Sequence, residues 1–388
     1  MKFPKFSLSS ELNELKRFEN LDQKEKSIVF YSENENSRFI FKSLIDELIN
    51  THNYNICYVT SNKDEKILNE TNKKIKTFCI GEGAVRTKFF LNLKASILIM
   101  TMPDLETFHI KRSKIYPVHY AYFFHAMVST HLVYRKNAFD HFDSIFCVGE
   151  YQINEIRSAE KIYNLKQKNL VRCGYTHLDN LIKINTIEGK SKKNSNQTQI
   201  LLAPSWGKNG LFDTKIEEII EILLDSEYKV VLRPHPMSLK LSHKKIKSIE
   251  KKFLANSNFK LEVDLSDFNS FLFSDVMISD WSGVALEFAF AFEKPILYID
   301  VPKKIHNSKF EEIPEIPIEV SIREKLGKII LPSEIGSISN EIEKLKQRSP
   351  IIKNEIKNIR ENKIFNVGNS GKISAKQIIK LLDELKNR

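Results

Sequence analysis

Five short stretches of this chain carry residue types that could do chemistry, and each follows an apolar run. Phe123-Phe124-His125 ends in an imidazole, and His131 and Arg135 follow within a few residues. A histidine at such a point could take a proton from an attacking hydroxyl, while the two later residues would add positive charge beside an acceptor. Arg233-Pro234-His235-Pro236 follows Val230-Val231-Leu232. Its prolines stiffen the turn and leave a guanidinium and an imidazole suited to two oxyanions of one pyrophosphate. Ser279-Asp280-Trp281-Ser282-Gly283 follows Val276-Met277-Ile278 and leads into an apolar helix over 284–292. Ser282 is a candidate N-cap and Gly283 lets the backbone approach a ligand. The free N–H groups and positive dipole end there favour an anion. Ala203-Pro204-Ser205-Trp206-Gly207 offers a flat aromatic face on which a base or sugar could rest. Gly174-Tyr175-Thr176-His177-Leu178-Asp179 reads as a turn with a part in interdomain geometry. Plainer readings stay open beside these: a bonded core histidine, a stiff surface turn, an ordinary capped helix, a tryptophan that plugs a core.

The elements that must position these residues alternate regularly. Short apolar runs at 28–31, 56–59, 76–80, 97–100, 118–124, 144–148 and 170–173 predict strands, with helices at 39–49, 63–71 and 84–93. Between Glu188 and Gln199 no apolar side chain occurs, which predicts a polar hinge. The alternation then restarts, with strands at 200–202, 229–232, 259–263, 276–278 and 295–300 and an apolar-faced tail helix over 374–386. This divides the chain into a first domain over 1–187, a linker over 188–199 and a second domain over 200–388. Strands separated by helices predict parallel sheets covered on both faces. Two such Rossmann-like halves facing each other across a cleft are the α/β architecture called GT-B. Neither half carries GxGxxG, so a dinucleotide is not indicated.

The chain has 388 residues, 41% hydrophobic and 28% charged, a globular balance that suits two domains. No apolar run approaches a membrane span and the N-terminal stretch is too acidic for a signal peptide, so the expected place is the cytoplasm. Cys57, Cys79, Cys147 and Cys173 lie scattered near apolar runs and read as buried free thiols. The net charge of +11 favours an anionic partner: a nucleotide, nucleic acid or an anionic bilayer. Nucleic acid is set aside, because no zinc finger, RNA-binding signature or basic-aromatic interleaving occurs. For a membrane surface the candidates are Lys88, Lys94, Lys111, Arg112 and Lys114 beside Phe89, Phe90, Leu91 and Ile110. The same aromatics read equally well as the buried face of a helix. No metal-ligand spacing occurs; a divalent cation such as Mg2+ is the one cofactor left open.

Taken together, APSW at 203–206, RPHP at 233–236 and SDWSGVALEF at 279–288 resemble APTW, RPHP and SDYSSxxxDF. Those motifs belong to the CDP-glycerol glycerophosphotransferase family of teichoic acid and capsule polymer primases and polymerases; GYTHLD at 174–179 is similar to its GYPRxD. The resemblance implies a peripheral membrane GT-B transferase. It would move a polyol phosphate from a CDP-activated donor to a hydroxyl of a glycolipid or polymer and release CMP. Carried over by position, His125 is the base, and His235, Ser282 and Gly283 hold the donor phosphates. Glu287 stands where the family has an aspartate, to bind ribose or structure the helix. Ser205, Trp206, Arg233 and Asp280 belong with the donor side. The chain departs from the pattern in having FHAMVSTH where WHG and a lysine are usual. Gly207 replaces an arginine and Gly283 a serine. Two other functions remain: a GT-B glycosyltransferase using a sugar nucleotide for a surface glycan, and a non-catalytic nucleotide-binding protein.

Overall fold

The computed structural model describes residues 8–33, 35–189 and 197–387. The first sheet comprises β1 (Ile28–Ser32), β2 (Ile56–Thr60), β3 (Ile75–Cys79), β4 (Ile97–Met100), β5 (His119–Phe123), β6 (Ser144–Cys147) and β7 (Asn169–Arg172). Their order is β3-β2-β1-β4-β5-β6-β7, parallel throughout. The second comprises β8 (Gln199–Leu202), β9 (Lys229–Leu232), β10 (Phe259–Leu261), β11 (Val276–Ser279), β12 (Ile296–Ile299) and β13 (Gly327–Ile330). It runs β10-β9-β8-β11-β12-β13, again all parallel. These are two Rossmann-like domains in the GT-B arrangement. The central strands are apolar on both faces because helices cover both: every residue of β1, β4 and β11 is buried.

In each sheet the order reverses once, between β1 and β4 and between β8 and β11. In a parallel sheet the loops after the carboxyl ends diverge at that point and leave a crevice. All five stretches singled out by their chemistry follow strand ends on these edges.

Several expectations need correcting. β13 was not foreseen. The helix expected at 63–71 is a single 3-10 turn, Lys66–Asn69. Gly174–Asp179 is a turn only as far as Tyr175, since the helix Thr176–Glu188 begins there. Most of the expected hinge, residues 190–196, lies outside the described residues. The tail helix, Ser370–Lys386, packs on the first domain and not on the second, against the helix Glu35–Asp46. The Asp179 carboxylate accepts the N–H groups of Gly368 and Ser370, both at 2.7 Å, which fastens the start of that helix. All four cysteines are buried and free.

Candidate active site

The second-domain wall is built around two buried charged residues. Asp280, at the end of β11, accepts the Ser205 N–H at 2.6 Å and the Ser205 hydroxyl at 2.8 Å. It also accepts the Leu211 N–H at 3.0 Å, so one carboxylate shapes the whole loop after β8. Arg233, after β9, pairs with Glu262 at 2.7 Å and donates to the carbonyls of Leu265 and Asp267. Both were expected to touch a donor. Instead they are almost fully buried and spend their polar atoms within the domain. Ser205 is likewise taken up by Asp280. These three position the wall.

The groups left to face the cleft sit beside them. His235 caps the helix Pro236–Leu241, its Nδ1 accepting the Met237 N–H at 3.0 Å. Nε2 therefore carries the proton. Burial, aided by the charge of Lys304, holds His235 down at about 3, so its Nε2–H is a neutral donor. Trp206 tilts against His235, ring centroids 6.1 Å apart, and against His306 at 6.1 Å. Lys304 lies 3.8 Å over the Trp206 ring, so a cation already covers a face expected to receive a base or sugar. Burial lowers Lys304 to about 8, partly offset by Asp280, which leaves it mostly charged at neutral pH. At the helix Val284–Phe292, Gly283 and not Ser282 takes the cap position, with helical φ −61 and ψ −24. No side chain closes the first turn; the Ala285 and Leu286 N–H groups turn back to the Ser282 and Gly283 carbonyls at 3.1 and 3.2 Å, which leaves those of Gly283 and Val284 for an anion.

The first-domain wall is the loop 124–131. The His125 Nδ1 is 3.2 Å from the Thr101 carbonyl, which can only accept. Nδ1 is thus the protonated nitrogen and Nε2 keeps its lone pair. His125 is exposed at the cleft, while the protein crowded around the ring desolvates it. That desolvation outweighs the Thr101 carbonyl and lowers the pKa from 6.5, keeping the imidazole neutral and basic at Nε2. His131, expected on the acceptor side, is instead buried. Its Nε2 is 3.0 Å from the Glu315 carbonyl and its Nδ1 3.6 Å from Glu155. Burial lowers its pKa, but Glu155, Glu319 and the Glu315 carbonyl outweigh burial and raise it. Arg135 is exposed, 5.0 Å over the Phe108 ring, and its charge depresses His306 after burial and Lys304.

The second domain grips this loop at several points. Ser129 donates its N–H and hydroxyl to Glu319 at 3.0 and 2.6 Å. The His306 N–H donates to the Leu132 carbonyl at 3.0 Å. A Cβ placed on Gly283 would lie 3.2 Å from Val128 and 3.3 Å from Ala126, so the donor-side helix end abuts the loop carrying His125. Glu287, expected to bind ribose or structure the helix, is bonded to Tyr175 at 2.8 Å, and the same hydroxyl lies 2.8 Å from the His125 carbonyl. Burial raises Glu287 to about 7, against the lowering effects of Tyr175 and Arg233.

Lys304 and His306 escaped the sequence reading. They lie in a polar loop with no motif of its own, and their only signal was position: they follow β12, next to β11 in a parallel sheet. Among the described residues no three His, Cys, Asp or Glu side chains converge as a metal site would require.

An imidazole with a free lone pair thus faces a helix end, a neutral imidazole and an ammonium across two Rossmann-like domains, the arrangement of a GT-B protein. Residues 13–306 match the model of the CDP-glycerol:poly(glycerophosphate) glycerophosphotransferase family, and the chain belongs to that family. It is 26% identical, over 186 residues, to the minor teichoic acid biosynthesis protein GgaB of Bacillus subtilis (strain 168), covering 39% of this chain and 18% of that protein. The chain thus spans less than a fifth of the length of this curated relative. A structure of the wall teichoic acid polymerase TagF, a histidine-to-asparagine variant soaked with CDPG, superposes with TM-score 0.60 at 16% identity, covering 98% of this chain and 95% of that one. UDP-GlcNAc 2-epimerase from Neisseria meningitidis gives TM-score 0.58 at 15% identity over 91% and 99%. At these identities the structures speak for the fold.

Proposed function

We propose that the protein transfers glycerol phosphate from CDP-glycerol to a hydroxyl of a lipid-linked or polymeric glycan, releasing CMP. The observation that carries this reading is His125: Nδ1 is held by Thr101, leaving the Nε2 lone pair for the cleft, beside the open end of the helix Val284–Phe292. His125 Nε2 takes the proton of the acceptor hydroxyl as its oxygen attacks the distal phosphorus in line. A new O–P bond forms, the bridging P–O bond breaks, and CMP departs with that electron pair. The charge that develops on the pyrophosphate meets the His235 Nε2–H, the Lys304 ammonium, the Ser282 hydroxyl and the N–H groups of Gly283 and Val284. A divalent cation, if the donor brings one, would be held by the phosphates themselves.

Incubation with CDP-glycerol and a lipid-linked glycan should release CMP and leave phosphorus in the product. Release of UDP from a sugar nucleotide, with no phosphorus transferred, would point to a glycosyltransferase instead. His125→Ala should lower turnover on the order of 10³-fold while calorimetric binding of CDP-glycerol stays within about threefold. Binding lost with turnover kept would overturn the assignment of His125.

An acceptor carried on lipid would bring the protein to a membrane surface, through some of the lysines first considered but with other apolar residues beside them. No helix among the described residues is long and apolar enough to cross a membrane. Phe89, Phe90 and Ile110 are buried, and Arg112 is paired with Asp143 at 2.9 Å. The segment between β4 and β5 instead exposes Phe108, Ile115 and Tyr116 among Lys94, Lys111 and Lys114. It starts at Thr101, beside His125, which suits delivery of an acceptor headgroup. Anionic liposomes should sediment the protein at low salt, and Ile115→Asp should weaken this; protein left in the supernatant at low salt removes the membrane reading.

A further inference from the structure

The Tyr175 hydroxyl ties the two walls of the cleft together. It lies 2.8 Å from Glu287 Oε1 on the second-domain helix and 2.8 Å from the backbone oxygen of His125. A phenol has one proton to give. The His125 carbonyl can only accept, and an ionised carboxylate can only accept. Both short contacts are hydrogen bonds only when Glu287 is protonated: the carboxyl O–H donates to Tyr175, and Tyr175 donates to His125. We propose that Tyr175 is a positioning residue that fastens the backbone of His125 to the second domain, and that a proton resident on Glu287 makes this possible. The consequence for turnover rests on His125 being the base.

The surroundings suit a protonated carboxyl. Burial raises Glu287 to about 7, well above the ordinary 4.5 of a glutamate. The charged and titratable groups around this cluster come from five elements. Arg233, after β9, lowers Glu287 but is already neutralised by Glu262. His177, on the helix after Tyr175, is held neutral at about 3 by burial and by Arg233. Tyr134 and Tyr151 lie near the Tyr175 hydroxyl and contribute no positive charge. His125 is itself kept neutral by burial. On the helix of Glu287, Glu293 is occupied by Arg360 at 2.9 Å. No cation is therefore free in this cluster to hold the carboxylate ionised at neutral pH.

The sign follows. Below about 7 Glu287 keeps its proton and both bonds form. As pH rises through that value the proton leaves to solvent, and the phenol turns to the stronger acceptor, the carboxylate. The His125 carbonyl then loses its donor, and the loop holding the base loosens. The acid side is set by protonation of His125 itself, which desolvation moves below its ordinary 6.5, so activity should fall on both sides.

Hydrogen exchange of the amides in 124–131, corrected for the intrinsic chemical rate, tests this without any substrate. Between about pH 6 and about pH 8.5 the wild-type segment should lose protection roughly fivefold. In Glu287→Gln the carboxamide N–H donates to Tyr175 at every pH, so protection should stay high throughout. In Tyr175→Phe it should be low throughout. Equal wild-type protection at both pH values, or a Glu287→Gln variant that behaves like Tyr175→Phe, overturns the proposal. With CDP-glycerol as donor, wild-type kcat should fall on the alkaline side with an apparent pKa near about 7 while KM for the donor holds within about threefold. Glu287→Gln should lack that limb, and a wild-type profile without it also counts against the bridge. Absence of turnover with any donor would remove the proposed reaction, while the exchange experiment would still decide the role of Tyr175.

Discussion

The two walls of the cleft are held in place by different means. On the second-domain wall the fixed points are internal. Asp280 holds Ser205 and Leu211, and Arg233 holds Glu262 and the loop through 267, all within one domain. On the first-domain wall the loop 124–131 keeps some internal bonds, such as Thr130 to Glu155 at 2.6 Å. It also depends on Glu319, Glu315, His306 and Gly283 from the other domain. The second-domain wall is thus complete in one domain, whereas His125 is placed only when two domains meet. Under the proposed reaction, such a division would let the protein bind its nucleotide donor without arming the base.

Breaking an internal point should have the largest effect. Asp280→Ala strands three buried donors, and urea unfolding should show a loss of about 4 kcal/mol together with loss of CDP-glycerol binding. A loss under about 1 kcal/mol would mean that the loop after β8 is held by something else. Breaking an interdomain point should separate binding from turnover. Glu319→Ala frees Ser129 and should cost about 2 kcal/mol, with turnover down roughly thirtyfold and CDP-glycerol affinity within about threefold. Affinity falling in step with turnover would erase the distinction between the walls.

The smallest change sharpens the comparison most. Relative to the motifs the chain resembles, a Cβ is missing at Gly283 and one is gained at Ala126, where WHG has glycine. These two positions face each other across the domain contact, and a Cβ on Gly283 would lie 3.3 Å from that of Ala126. The two departures compensate. Gly283→Ser alone should cost about 1 kcal/mol by overpacking, and adding Ala126→Gly should recover most of it. Additive losses in the double variant would show that the two positions do not share one space.

The sequence made the alternation of elements legible because short apolar runs and polar turns recur strictly. β13 escaped because Gly327-Lys328-Ile329-Ile330 is short and opens on a glycine, a residue that usually marks an interruption. In the structure that glycine serves close approach: a Cβ there would sit 1.8 Å from the Ile296 carbonyl, inside the neighbouring strand. At the site, the sheet edge could be read but not the direction of each side chain. Arg233 and His235 share one motif, yet Arg233 turns to Glu262, a partner 29 positions away, while His235 stays half-exposed at the cleft. Burial of a guanidinium against a distant carboxylate leaves no local trace. Lys304 and His306 show the converse, a polar stretch brought to the cleft solely by the strand it follows.

The fastening of Gly368 and Ser370 to Asp179 has a mechanical consequence. The chain passes from first domain to second before Gln197 and returns near Phe365, whose N–H meets the Val148 carbonyl at 2.8 Å. Two bodies joined by a single tether can swivel freely about it. Joined by two separate spans, they are left chiefly with rotation about the line between the spans, which removes twisting and sliding. Any opening would then resemble a book moving on its spine, and closing would return His125 to the same helix end without a search.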